Sequence, residues 1–146
     1  SAASDVYKRQ GLGINLLQLE IYQLKKINMI ESTEINGEDY SVTFDANQTV
    51  IKFQGELALG TPKDYAPINN LLNAVVESKP PEMTIDLREL DFLNSSGISM
   101  LSKFVLGLRK QKDIQLVIIG SEAIPWQNKS LKNLQKFLPT LILRIE

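Results

Sequence analysis

The sequence predicts one α/β domain with a mostly parallel, mixed central sheet. Segments with strand-like alternation are separated by segments with helical periodicity, in the order β-β-α-β-α-β-α-β. The 146 residues, 43% of them hydrophobic, suffice for one core and are too few for two ordinary domains. We therefore expect parallel strands joined by right-handed crossovers, with the first two strands antiparallel at one edge.

The first half of the pattern is a hairpin followed by a helix. Apolar and polar residues alternate over 40–44 and 49–57, which predicts two strands joined by a turn at 45–48. Thr61 as N-cap and Pro62 at the first helical position predict a helix start. Apolar residues then recur at helical spacing: Tyr65, Ile68, Leu71, Leu72, Val75 and Val76.

The second half continues the alternation of strands and helices. Its predicted segments are a strand over 83–87, a helix over 98–110, a buried strand over 114–119, a short helix over 130–137 and a last strand over 141–145. A loop over 120–128 contains the only tryptophan, Trp126. We expect Trp126 to pack over the edge of the core, and the alternative is a binding hot spot.

The N-terminal residues are interpreted as foreign to this domain. Residues 5–10 resemble the in-frame translation of a transposase adapter used in sequencing, so 1–10 are expected to be an artefact. The apolar residues of 11–28 have approximate helical spacing, which indicates either a partner-docking helix or a helix without biological meaning. We assign 1–28 to an artefact or a non-domain extension, and 29–146 to a single domain.

Composition excludes several classes of function. The chain contains no cysteine and no histidine, which removes thiol catalysis, cysteine-ligated zinc, the commonest general base and the commonest metal ligand. We therefore expect no metal, no cofactor and no enzymatic activity. A net charge of −1 gives no overall field that attracts nucleic acid or an anionic membrane. Without a long apolar run, the expected location is the cytoplasm.

The corner Asn94-Ser95-Ser96-Gly97, between a strand and a helix, is the most informative segment. Its two hydroxyls lie near a helix N-terminus, where backbone N–H groups and the helix dipole favour a phosphate. Ser95 is therefore the candidate for phosphorylation, with Ser96 as the alternative. Serine is also a common helix cap and turn residue, and the two roles are compatible.

The helix after the corner predicts a surface for a protein partner. Ser99 and Lys103 lie one helical turn apart next to the corner. Met100 offers an adaptable apolar contact. The candidate partner-binding residues are Asn94, Ser95, Ser96, Gly97, Ser99, Met100 and Lys103.

These residues resemble the STAS family, the bacterial anti-sigma-factor antagonists and related domains. The resemblance covers roughly 40–145, and its specific part is Ile85-Asp86-Leu87, Leu90, Phe92-Leu93 and Asn94-Ser95-Ser96-Gly97-Ile98. Gly55-Glu56-Leu57 is also similar to the family's second strand, and it adds Glu56 to the candidate partner-binding residues.

The resemblance implies a STAS-like fold and a partner switch. In such proteins the serine at this corner, here Ser95, accepts phosphate from a serine kinase that is itself an anti-sigma factor or a similar regulator. A PP2C-type phosphatase removes the phosphate. The unphosphorylated form is expected to bind the regulator, and the phosphorylated form to release it.

Asn94 stands where many STAS proteins have aspartate. A branch of phosphorylated STAS-like regulators also carries asparagine here, and its partners sometimes include a cyclic-nucleotide-making enzyme. One alternative function is a constitutive STAS module that is never phosphorylated. A remote one is a hydrolase using Ser95 as nucleophile, although the Gly-x-Ser-x-Gly pattern and a histidine base are missing. Asp86 is interpreted as a polar strand-end residue rather than one of a catalytic pair with Asp91.

Overall fold

The computed structural model describes residues 16–20 and 33–146. The predicted N-terminal extension lies outside the described residues, apart from 16–20, which are helical. The sheet has six strands: β1 (Glu34–Asn36), β2 (Tyr40–Asp45), β3 (Val50–Leu57), β4 (Glu82–Leu93), β5 (Gln115–Gly120) and β6 (Ile142–Ile145).

The strands lie side by side in chain order. The pairs β1–β2 and β2–β3 are antiparallel, and every pair from β3 to β6 is parallel. Helices connect the parallel strands: α1 (Ala66–Glu77), α2 (Ser95–Gly107) and α3 (Pro125–Phe137). This mixed α/β architecture confirms the predicted fold class and the antiparallel edge.

The core lies between the sheet and the three helices. From β3 to β6, each parallel strand is added on the same side of the one before it. Right-handed crossovers therefore place all three helices on the same face of the sheet. Alternate residues of the central strands face these helices and are fully or almost fully buried: Ile51, Phe53, Ile85, Leu87, Leu116 and Ile118. The helices contribute apolar stripes to the same cluster, including Leu72, Leu101 and Leu131.

Several boundaries differ from those predicted. The three-residue strand β1 was not predicted, since so short a segment shows no measurable alternation. The last helix begins at Pro125, so Trp126 lies in its first turn and not in a loop. Proline at the first helical position sets that start. The Trp126 Nε1 donates to the Leu90 carbonyl at 3.1 Å, which confirms the expected packing at the core edge.

The start of the first helical segment agrees with its sequence signals. Pro62–Tyr65 form a 3₁₀ turn with Thr61 as N-cap, and α1 follows directly. The Thr61 N–H donates to Asp64 Oδ2 at 3.0 Å. In the described part of the chain, no helix is long and apolar enough to cross a membrane.

Gly55 fixes a bend near the end of β3. Its φ is +90°, which L side chains rarely adopt, and the pairing of β3 with β4 shifts between Gly55 and Glu56. The Glu56 N–H donates to the Asp39 carbonyl at 2.8 Å. A Cβ on Gly55 would collide with that carbonyl and lie 3.1 Å from the Tyr40 Cα.

We expect Gly55→Ala to lower the free energy of unfolding by about 1–3 kcal/mol, because it adds backbone strain and a collision. Gly107→Ala is the matched control. Gly107 ends α2 with helical φ and ψ, and an added Cβ meets no atom within 4 Å. The control should raise stability by about 0.5–1 kcal/mol. Urea denaturation measures both variants, and equal effects would contradict the assigned role of Gly55.

Candidate functional site

Asn94 connects three parts of the fold at the carboxyl end of β4. Its backbone N–H donates to the Leu57 carbonyl at 3.1 Å, at the end of β3. Its Oδ1 accepts the Gly97 N–H at 2.9 Å, which makes it the side-chain N-cap of α2. Its Nδ2 donates to the Leu59 carbonyl at 2.9 Å. Both ends of the side-chain amide are therefore used.

Tyr65 completes this connection from the start of α1. The side chain is 1% exposed, and its hydroxyl accepts the Leu59 N–H at 3.2 Å. The same hydroxyl donates to Asn94 Oδ1. Burial raises the pKa of Tyr65, although the hydrogen bond from Leu59 acts in the opposite direction. The phenol therefore stays protonated at neutral pH and remains a donor to Asn94.

Gly97 lies beneath this network rather than on the surface. It is buried, and an added Cβ would lie 2.9 Å from the Tyr65 hydroxyl and would collide with the Leu93 side chain. The absence of a side chain lets the first turn of α2 approach Tyr65 and Leu93. The structure thus gives Gly97 a packing role and little exposed surface.

A groove of about 390 Å³ lies between the beginnings of α1 and α2, and we call it the corner groove. Five predicted partner-binding residues line it: Ser95, Ser96, Ser99, Met100 and Lys103. Met100 is 9% exposed and contributes an apolar surface, whereas Ser95, Ser99 and Lys103 are exposed. Glu56 is exposed at the end of β3, outside this lining.

Ser95 and Ser96 occupy the first two positions of α2. The Gly97 N–H is capped by the Asn94 side chain, and the Ile98 N–H bonds to the Asn94 carbonyl at 3.0 Å. Helix geometry leaves the N–H groups of Ser95 and Ser96 without partners within the helix. Ser95 is exposed and Ser96 is half-buried, so Ser95 is the more accessible hydroxyl.

The opposite wall of the corner groove was missed by sequence reasoning. It is formed by Pro62, Tyr65, Ala66 and Asn69, of which Tyr65 was expected only as a core residue. The order of the strands provides a signal that could have predicted this wall. Because β3 and β4 are parallel neighbours, the segments that follow them leave the sheet at the same edge. The residues after β3 are therefore natural neighbours of the Asn94 corner.

Asp86, weighed above as a possible catalytic partner of Asp91, is bound by Arg88. Asp86 is 5% exposed, and Arg88 binds both its oxygens, with Nε–Oδ1 at 3.0 Å and Nη2–Oδ2 at 2.9 Å. Arg88 Nη1 also contacts Glu146 Oε2 at 3.1 Å. Burial raises the pKa of Asp86, but the hydrogen bonds and charge of Arg88 outweigh it, and the net pKa is lowered. This carboxylate is therefore held in its charged form by the ion pair with Arg88.

Comparisons with known proteins identify a fold neighbour. No protein-family model matches the chain, and no curated protein sequence matches it. The structure is similar to one chain of the crystal structure of diguanylate cyclase SiaD in complex with its activator SiaC from Pseudomonas aeruginosa, with a TM-score of 0.63 and 10% sequence identity. The alignment covers 79% of this chain and 100% of that chain.

At this level of identity the likeness establishes the fold. The protein is a mixed α/β domain whose architecture is consistent with a STAS-like fold. The corner groove lies at the carboxyl edge of its parallel strands.

We expect Asn94→Ala to cost about 1–3 kcal/mol of stability, because it removes the α2 cap and leaves the Leu59 carbonyl without its donor. Asn73→Ala, at an exposed position of α1, should change stability by less than about 0.5 kcal/mol. A double-mutant cycle with Tyr65→Phe should show coupling of about 0.5–3 kcal/mol. Additive losses in urea denaturation would mean that Asn94 and Tyr65 act separately.

Asp86→Asn tests the ion pair between the buried Asp86 and the exposed Arg88 through its dependence on pH. Because the folded-state pKa of Asp86 is lowered, its stabilisation is present above the unfolded pKa of about 3.9 and is lost as pH falls through the folded value. The variant should therefore be less stable than wild type near neutral pH and approach it in acid. Asp91→Asn, at an exposed position, is the control. An equal deficit at every pH would contradict this assignment.

Proposed function

We propose that this protein is a phospho-regulated protein-binding switch whose docking surface is the corner groove. The unphosphorylated protein binds a kinase or anti-sigma-type regulator, and phosphorylation of Ser95 releases it. The observation that carries this proposal is the position of Ser95. Its exposed side chain lines the same groove as Ser99, Met100 and Lys103, beside N–H groups that the helix leaves free.

The physical effect of a phosphate at Ser95 would be electrostatic and local. Phosphorylation adds about −1.5 to −2 charges, whereas Lys103 is the single charged side chain among the residues that line the groove. The N-terminus of α2 favours a nearby negative charge, so the fold should tolerate the modification. The surface changes from weakly positive to negative. A partner that is acidic, or that packs tightly against Met100, would bind more weakly. Each loss of about 1.4 kcal/mol of binding free energy lowers the affinity tenfold.

The fold neighbour supports a protein as the binding partner. Its coordinates come from a complex between an enzyme and the activator of that enzyme. By analogy, the proposed partner is a protein. The resemblance to the STAS family, rather than the fold neighbour, suggests a serine kinase or anti-sigma-like regulator as that partner and a PP2C-type phosphatase that removes the phosphate. In the STAS-like branch that also carries asparagine at this corner, a cyclic-nucleotide-making enzyme is a further candidate partner.

A constitutive interaction module is the second candidate function. Asn94 favours it, because the neutral amide leaves the corner without the carboxylate found in many STAS proteins. The hydrolase alternative has little support from the groove. The lining of the corner groove contains no aspartate or glutamate. Its ionisable side chains are the exposed Lys103 and the buried Tyr65. The groove therefore offers Ser95 neither a histidine nor a carboxylate as general base.

Mass spectrometry of the protein recovered from its native cells tests the proposed switch. We expect a population with one added phosphate, located on Ser95 in the fragment spectra. Ser95→Ala should abolish this species, whereas the matched variants Ser96→Ala and Ser99→Ala should retain it. Absence of phosphate in every growth condition, with a partner still bound, would favour the constitutive module. Phosphate that persists in Ser95→Ala would contradict the assignment of the residue.

A further inference from the structure

Positive charge is concentrated on α2, α3 and the segments that follow them. Seven lysine or arginine side chains lie within 94–112 and 123–140, and these two stretches contain no aspartate or glutamate. All seven are exposed: Lys103, Arg109, Lys110, Lys112, Lys129, Lys132 and Lys136. The net charge of −1 for the whole chain conceals this separation, because the acidic residues lie elsewhere.

These cations are not neutralised by ion pairs within the part of the chain that the structure describes. The ion pairs there join Lys52 to Glu89, and Arg88 to Asp86 and Glu146. Lys52 lies in β3, and the other ion-paired residues lie in β4, apart from Glu146, which follows β6 directly. The positive side chains of α2 and α3 are therefore available to a partner.

A second groove, of about 340 Å³, lies between α2 and α3, and we call it the interhelical groove. Its lining combines apolar and polar groups: Ile98, Ser102, Ser130, Asn133, Lys136 and Phe137. Leu106 lies one turn beyond Ser102 and is 45% exposed, and Phe137 is 39% exposed. Phe137 thus lies next to Lys136 in the lining, and Leu106 extends the apolar surface along the same side of α2.

The interhelical groove is distinct from the corner groove. Ser99 and Lys103 line the corner groove, whereas Ile98 and Ser102 line the interhelical groove. Adjacent residues on a helix project about 100° apart, so the two grooves flank different sides of α2. The Arg109 Nε donates to the Phe137 carbonyl and joins the ends of α2 and α3.

We propose that the interhelical groove docks an acidic amphipathic helix of a protein partner. Apolar residues on one face of such a helix would contact Ile98, Leu106 and Phe137. Acidic residues on its flanks would pair with lysines of α3, including Lys136. An apolar groove with a charged border is the usual form of helix-in-groove recognition. Because the charge around this groove is positive, the partner's helix is expected to be negatively charged.

The same features disfavour other anionic partners. Insertion into a membrane needs protruding apolar side chains, whereas Phe137 lines a concave groove and is more than half covered. Single-stranded nucleic acid binding uses exposed aromatic rings as stacking platforms. The nearby Trp126 is only partly exposed, and its indole N–H is bonded to Leu90.

Fluorescence anisotropy with the full chain tests this proposal. The probe is a fluorescently labelled synthetic peptide designed to form a helix. It has leucine and phenylalanine along one face of the helix and glutamate along the rest of its surface. We expect saturable binding that weakens with salt. Lys136→Glu and Leu106→Ala should each weaken it by about tenfold. Arg144→Glu is the matched control, because Arg144 is exposed on the sheet, away from the helices.

Several results would overturn the proposal. One is no binding of the probe, and another is equal weakening by Arg144→Glu, which would indicate non-specific attraction. Equal affinity for a scrambled peptide of the same composition would exclude recognition of an amphipathic helix. Binding of phosphatidylserine vesicles or poly(U) instead of the peptide, with sensitivity to Lys136→Glu, would assign the surface to a membrane or to RNA. Circular dichroism verifies that each variant is folded.

Discussion

The side-chain amide of Asn94 is the interaction on which the geometry of the corner depends. It caps α2 through Gly97, donates to the Leu59 carbonyl and accepts the Tyr65 hydroxyl. An aspartate could serve as the acceptor for Gly97 and Tyr65, but it would place a carboxylate oxygen against the Leu59 carbonyl. The asparagine therefore has a structural explanation in this fold, independent of any effect on phosphorylation.

The order of the strands explains why the corner faces a groove. Because β3 and β4 are parallel neighbours, the segments after them emerge at one edge of the sheet. The segment after β3 brings Tyr65 and the start of α1, and the segment after β4 brings Ser95 and the start of α2. The buried Tyr65 joins the two. The hydrogen-bonded part of the site, formed by Asn94 and Tyr65, carries no charge and lies inside, and the residues available to a partner lie above it. A phosphate on Ser95 could then change the surface without altering the hydrogen bonds of Asn94.

The helix α2 separates two surfaces with different chemistry. On one side, the corner groove combines serine hydroxyls with Lys103. On the other side, the interhelical groove combines Phe137 and other apolar groups with the lysines of α3. If both proposals hold, a partner could contact the regulated corner and the basic helices at the same time. Contact with the interhelical groove would increase the affinity of such a partner, and phosphorylation at the corner groove would regulate its binding.

Local sequence signals predicted much of the fold and part of the site. Alternation and helical periodicity identified the main strands and helices, and the Asn94 corner was located from its turn and capping residues. The start of α3 at Pro125 was missed because its first turn lacks an apolar repeat. The role of Tyr65 depends on a contact 29 residues away along the chain, which periodicity cannot reveal. The concentration of positive charge on α2, α3 and the segments after them was hidden because net charge averages over the whole chain.

Photo-crosslinking in the native cells tests the central claim most directly. A photoreactive amino acid at position 99, on the exposed side of the corner groove, should form an adduct with one partner protein. We expect Ser95→Asp to abolish this adduct. Thr140→Asp, which adds the same charge at an exposed position just before β6, should leave it unchanged. An adduct of equal yield in the Ser95→Asp protein would contradict the claim that charge at Ser95 controls docking.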